Sequence, residues 1–357
     1  MKVRTKAIGA VLLVLVGIGT LIFSRHNGRD SEQVQSNEHA GLTIIQSIQD
    51  VNPGMVWLDD ENLVVAKDSL YTVNVVSDSI EKLEDNPSAK SVLSLCPGGK
   101  SILYRESTGH YKLFDLNTKT SSDILGKYKH ALDAYSCKVT EIPAVLWEAY
   151  VDNRVLPLRH DGYVLFELIG GSNSASAAKE YNVFFVSSDG TTRTPIDIGS
   201  KNFHLIPSVS WVPYKKAYFM RNEVNEGPER PFRKKLVQLS PAGTVIPLTI
   251  PSDIYDKGTS GSLSGGEDRE IVPVKTGTLV SFNDIKDYKR SAYKLGSGLY
   301  FVNSNGASER IVAGFVGNIA VSPNGCNVAL RFAESIGYSA YAHFLENASV
   351  GIVNVCE

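Results

Sequence analysis

The sequence predicts an all-β fold, a six-bladed β-propeller of four-stranded antiparallel blades, preceded by one N-terminal transmembrane helix. Three observations carry this. A hairpin pattern of apolar strand, turn and apolar strand recurs six times. A third apolar run follows each copy, and a fourth follows several. Ahead of the repeats, Ala7–Phe23 is apolar and uncharged behind Lys2, Arg4 and Lys6.

The hairpin copies are Met55–Val65, Leu93–Tyr104, Val155–Phe166, Val209–Met220, Ile271–Phe282 and Asn318–Phe332. The last is the clearest, with Ser322-Pro-Asn-Gly as the turn between two apolar strands. The third runs are Leu70–Val76, Tyr111–Leu116, Tyr181–Val186, Lys235–Leu239, Gly298–Val302 and Val350–Val355. Three of them end in a tight turn closed by glycine: Ser187–Gly190, Ser240–Gly243 and Asn303–Gly306. A last-place glycine suits a turn residue with positive φ. Fourth runs are Ser79–Leu83, Thr192–Ile198, Thr244–Ile250 and Glu309–Ala313. Four antiparallel strands per unit, repeated radially, make propeller blades.

Ser322-Pro-Asn-Gly followed by an apolar strand, and the Leu113–Thr118 strand and turn, resemble the TolB-like, WD-like propeller repeat. The resemblance covers roughly residues 50–356. The second copy departs from the pattern, with Cys96-Pro-Gly-Gly at the turn. The resemblance implies the propeller fold and a habit of binding proteins or glycans. It carries over no catalytic residue.

From the start of the chain, residues 1–6 read as a short cytoplasmic tail and residues 7–23 as the membrane segment. At ~1.5 Å rise per residue the segment reaches the lower end of a bilayer span. An uncleaved signal anchor is the leading reading. A cleaved signal peptide and a buried helix remain open, although no small-residue cleavage site follows Leu21. The basic N-terminal flank puts residues 1–6 in the cytoplasm and the propeller outside it, on the periplasmic side of a bacterial inner membrane. Residues 24–41 are polar and read as a flexible tether, and residues 42–357 as the propeller.

Leu42–Ile48 is an apolar strand outside the six hairpins, and the sixth copy supplies only three strands. An open blade would leave an unpaired edge. Leu42–Ile48 is therefore expected as the outer strand of the last blade. Four cysteines permit two disulfides in an oxidising compartment. Cys326 begins the second strand of the last blade and Cys356 ends the third, so antiparallel pairing brings them together. Cys96 and Cys137 are left as a further pair or as small buried residues.

Chemical motifs are sparse. Net charge is −2, with 43% hydrophobic and 21% charged residues among 357, which gives no electrostatic case for nucleic acid. No metal-ligand spacing joins the seven histidines, and neither a metal nor a cofactor is expected. Gly261–Gly265 places Leu263 where a nucleophile elbow needs serine. The acids near the hairpins are Asp59, Asp60, Asp161 and Glu167. A carbohydrate-active or other hydrolytic propeller would need such acids converging in the central channel.

The favoured reading is a non-enzymatic binding or scaffolding module for a protein or cell-envelope polymer. In a four-stranded meander, second-to-third-strand loops and blade-to-blade loops emerge at one end. The long insertions 170–180, 221–234, 284–295, 334–349, 126–153 and 252–270 all have that connectivity, so all are expected on one face. Tyrosine and arginine favour interfaces. Arg230, Arg233, Tyr288 and Tyr338 are the candidate partner contacts.

Overall fold

A computed structural model describes residues 41–51, 54–84, 89–96, 98–124, 130–133, 137–152, 154–158, 162–171, 179–198, 202–203, 208–224, 233–239, 245–248, 270–282, 297–338, 343–345 and 347–356. The expected anchor, residues 7–23, and tether, residues 24–41, lie outside them except for residue 41. Among the described residues no helix is long and apolar enough to cross a membrane.

Each hairpin copy forms the first two strands of a four-stranded antiparallel meander. The first blade is Met55–Trp57, Asn62–Ala66, Leu70–Asn74 and Ser79–Glu84, paired in chain order. The second is Ala89–Leu95, Ser101–Glu106, Tyr111–Asp115 and Thr120–Asp123. The third is Val155–Leu158, Gly162–Gly171, Lys179–Val186 and Arg193–Ile196. The fourth is Ser208–Val212, Ala217–Val224, Arg233–Leu239 and Val245–Leu248. The fifth is Ile271–Pro273, Gly277–Phe282, Gly298–Asn303 and Ser308–Ala313. The sixth is Phe315–Val321, Asn327–Ala333 and Ser349–Asn354, with Leu42–Gln49 as its outer strand. Leu42 lies opposite Val353 and Ile45 opposite Val350, so the closing strand comes from the other end of the chain.

The tight turns after third strands are built by side chains. Asn74, Asp115 and Asn303 each accept main-chain N–H groups two to four residues on. These Asx turns reverse the chain without glycine at every position. The Asp189 carboxyl is held down to about 2 by hydrogen bonds from the Ser187 hydroxyl and from Thr191.

Apolar clusters at the blade faces define the ring. Leu63, Val65 and Trp57 of the first blade pack with Ile45, Ala329, Val350 and Ile352 of the sixth. Val64, Ala66 and Leu70 meet Ile102, Tyr104 and Phe114 of the second. Similar clusters join the third blade to the fourth, the fourth to the fifth and the fifth to the sixth. Opposite faces of one strand thus serve opposite neighbours, as the two-residue side-chain period requires.

The seam between the second and third blades differs. Leu103 and Leu113 of the second blade pack on the Cys96–Cys137 disulfide. Tyr163, Leu165 and Val186 of the third pack on Ile142, Leu146 and the short helix Trp147–Val151. Residues 130–133 and 137–151 therefore form a wedge, with the ladder His130–Asp133/Lys138–Glu141 ahead of the helix.

This corrects one expectation. The described residues 137–146 of the 126–153 insertion do not stay on the face where its connectivity starts. Cys137 is bridged to Cys96 at a first-to-second-strand turn, at the opposite end of the blades. Pro143 and Val145 lie against Gly190 in a third-to-fourth-strand turn, also at that end. Burial of Ile142 and Leu146 draws the segment into the seam. The expected Cys326–Cys356 disulfide is formed as well, bridging the start of one strand to the end of its neighbour.

Candidate functional site

The two ends of the ring are built differently. At the short-turn end, successive inner turns interlock around four blades. The Tyr214 hydroxyl donates to the Pro273 carbonyl, and Lys215 Nζ to the Lys275 carbonyl at 3.0 Å. Lys275 N–H donates to Gly325 O at 2.9 Å, and Asn324 N–H to Asp60 Oδ1 at 2.9 Å. Gly325 is required here: its φ is +80°, and a Cβ would stand 2.8 Å from the Tyr214 ring. Burial of Tyr214 pushes its hydroxyl pKa well above the usual phenol value.

At the other end the second-to-third-strand hairpins rise to unequal heights. On the first blade only Lys67–Ser69 separates the two strands, and on the second only Ser107–His110. On the third and fourth blades the strands run on to Gly171 and Val224. The fifth and sixth carry the insertions 283–297 and 334–348, the latter with its own two-stranded ladder, Ile336–Tyr338 against His343–Leu345. Asn202–Phe203 crosses between the third and fourth hairpins, pairing with Lys179–Glu180 on one side and Val224 on the other. Among the described residues, raised hairpins over the third, fourth and sixth blades thus stand beside a low sector over the first and second.

A polar cluster supports this mouth. The inner strand of the sixth blade is bulged between Gly317 and Ala320, and Asn318 has φ +52°. The bulge frees two N–H groups from the ladder. Glu270, entering the fifth blade, accepts both: Asn318 N–H on Oε1 and Ile319 N–H on Oε2, each at 2.8 Å. Glu270 is itself held by the buried Ser281, whose hydroxyl accepts its N–H at 2.8 Å. The Arg331 guanidinium donates to Asn318 Oδ1 at 3.3 Å, while its buried Nε has no partner among the described residues. Burial pulls the Arg331 pKa below its usual value, against the opposing field of Asp50.

The chemical capacity of this cluster is limited. Both Glu270 oxygens are engaged by main-chain donors, so the carboxylate is a strap between blades rather than a free base. Glu270→Ala is expected to lower stability by roughly 2–4 kcal/mol, because it strands two part-buried donors. Glu270→Gln, which keeps one acceptor, should lose less. Urea midpoints measure both, and an alanine variant matching wild type would show that the bulge does not need the carboxylate.

The expected site residues fall as follows. Arg233 begins the third strand of the fourth blade opposite Val224, and Tyr338 ends its short strand opposite His343. Both belong to the raised hairpins at the long-loop end. Arg230 and Tyr288 lie outside the described residues. Of the acids near hairpins, Asp161 also lies outside them. Asp59 accepts the N–H groups of Glu61 and Asn62 within its own turn, and Asp60 caps Asn324. Glu167 pairs with Arg193 at 3.2 Å near the other end of the third blade. These three carboxylates do not converge. Among the described residues no group of three or more histidine, cysteine, aspartate or glutamate side chains is placed to hold a metal. Sequence reading missed Glu270, Asn318 and Arg331, since a bulge and its cap leave no periodic signal.

No protein-family profile matches the chain, and no curated protein matches it in sequence. Solved structures do resemble it. An oligogalacturonate lyase in complex with manganese is 10% identical, with 88% of this chain and 93% of that one covered and a TM-score of 0.48. A mitotic checkpoint complex chain is 11% identical, with 92% and 98% covered and a TM-score of 0.44. TolB from Acinetobacter baumannii is 10% identical, with 89% and 65% covered and a TM-score of 0.36. Likenesses of this order carry no substrate, metal or partner over to this chain. What defines it is its own blade order and its strand-sharing closure, and on these the described residues form a six-bladed β-propeller.

Proposed function

We propose that this protein is a membrane-tethered, extracytoplasmic binding or scaffolding module, not an enzyme, whose long-loop face docks a protein or cell-envelope polymer. The supporting observation is the opposition of the two ends. The raised hairpins rise at one end of the ring. Leu42 enters opposite Val353, at the short-turn end. Loops on a rigid scaffold are where binding is commonly built. Both disulfides favour an oxidising compartment. The hydrolytic alternative gains nothing from Asp59, Asp60 and Glu167, which are engaged locally.

The test is capture from envelope extract by the full-length protein. Alanine at Arg230, Arg233, Tyr288 and Tyr338 together is expected to abolish capture with the melting curve unchanged. Alanine at Lys119 and Asn305, in turns of the opposite face, should leave capture intact. The reverse pattern would assign the docking face to the short-turn end.

A further inference from the structure

The strand Gly162–Gly171 pairs with Lys179–Val186 almost throughout, but its inner neighbour is much shorter. Val155 lies opposite Leu165, and Phe166 N–H donates to Arg154 O at 2.8 Å. Beyond it, among the described residues, no strand pairs with the inner side. On the other side the sheet is continuous at this height, through Asn202–Phe203 to the hairpin of the fourth blade. The raised five-stranded sheet therefore has an open inner edge at its third-blade end, among the described residues. That edge carries Leu168 and Ile169, 48% and 47% exposed. Alternation from Phe166 turns the Leu168 N–H and C=O toward the mouth.

An unpaired edge with exposed apolar side chains is a template for another strand, and soluble proteins ordinarily cover or blunt it. The register shift at Ile169 confines the open run to a few residues. Charge is also arranged there. Glu180 lies opposite Gly170, and its Oε2 is 3.5 Å from where a Gly170 Cβ would stand, so the carboxylate reaches over the strand. Glu167 is paired with Arg193, and Asp152 with Arg154. Lys179 sits one position further, opposite Gly171.

We propose that the inner edge of Glu167–Gly171 is a strand-addition site for an extended peptide segment of a protein partner, apolar beside Leu168 and basic beside Gly170. Main-chain hydrogen bonds give such a site its affinity, and side-chain neighbours its preference. A second propeller is the wrong occupant. The open run is only a few residues long, and it stands among raised hairpins of the third, fourth and sixth blades, so it fits a single extended segment rather than the broad face of another ring. This assignment rests on the long-loop face being the docking face.

The probe is a fluorescein-labelled decapeptide of alternating valine and lysine, titrated by anisotropy against the full-length protein in detergent. Saturable binding is expected, weakened about tenfold or more by Leu168→Pro, since proline on an open edge removes the donor while sparing the existing ladder. Glu180→Lys should shift preference to a valine–glutamate peptide. No saturable binding by wild type, or equal binding by a folded Leu168→Pro variant, overturns the site. If that variant does not fold, the valine–lysine peptide N-methylated on alternate amides replaces it, and undiminished binding of the methylated form is the overturning result. Loss of envelope capture in the four-alanine variant alongside a failed peptide titration sinks the edge alone. Capture that depends on Lys119 and Asn305 sinks the docking face.

Discussion

Removing residues 42–48 is expected to abolish cooperative unfolding of the ring or lower its melting temperature by more than about 10 °C. Ile45 and Ile48 are 1% and 4% exposed and pack in the cluster shared by the sixth and first blades. Burying each is worth about 1.5–3 kcal/mol. The deletion also strips the ladder from Ser349–Asn354 and opens an apolar edge carrying Val350 and Ile352. The combined loss, roughly 5 kcal/mol or more, is comparable to the whole stability of many domains. Alanine at Ile45 and Ile48 should reproduce much of it, while alanine at the exposed Gln46 and Gln49 should not. Light scattering should rise with the deletion, because the uncovered edge pairs between molecules. A melting curve identical to wild type would mean that the ring closes without its borrowed strand.

Replacing Cys96 and Cys137 by serine is expected to destabilise the protein more than replacing Cys326 and Cys356. The chain-entropy model assigns each bridge about 3.5–4 kcal/mol, with separations of 41 and 30 residues. Their settings differ. Cys326–Cys356 joins strands already held by a six-pair ladder and by Val355 N–H donating to Cys326 O at 2.9 Å. Cys96–Cys137 pins the wedge in the seam where no apolar cluster of the described residues draws on both blades. Its loss frees the hairpin and uncovers Leu103, which is fully buried. Guanidinium midpoints of the two double-serine variants decide the order, and dithiothreitol should lower wild type by at least as much as either. Equal midpoints would mean that the wedge is held by its apolar contacts alone.

Much of the fold was legible because blades are local objects. The short apolar runs of Asn62–Ala66 and Gly277–Phe282, buried at consecutive positions, and the turn residues around them act within a few positions of the chain. Closure by Leu42–Gln49 and the Cys326–Cys356 bridge were legible too, since both follow from counting strands and their directions. The fourth strand of the second blade, Thr120–Asp123, was not. Its exposed, polar Thr-Ser-Ser-Asp has no apolar period, and it is a strand only because Lys112–Asp115 offers it a ladder.

The sequence by itself determined the repeat, the strand order within blades and the end from which the hairpin loops emerge. Tertiary structure alone decided that residues 137–151 enter a seam, because Ile142 and Leu146 are buried against the third blade and Cys137 against the second. It alone decided that Glu270 caps the bulge at Asn318 and Ile319, a contact across 48 and 49 residues that no local pattern encodes. The open edge at Leu168 has the same origin. An edge is defined by the strand that is absent beside it, and which strands stand side by side is settled only when the ring packs.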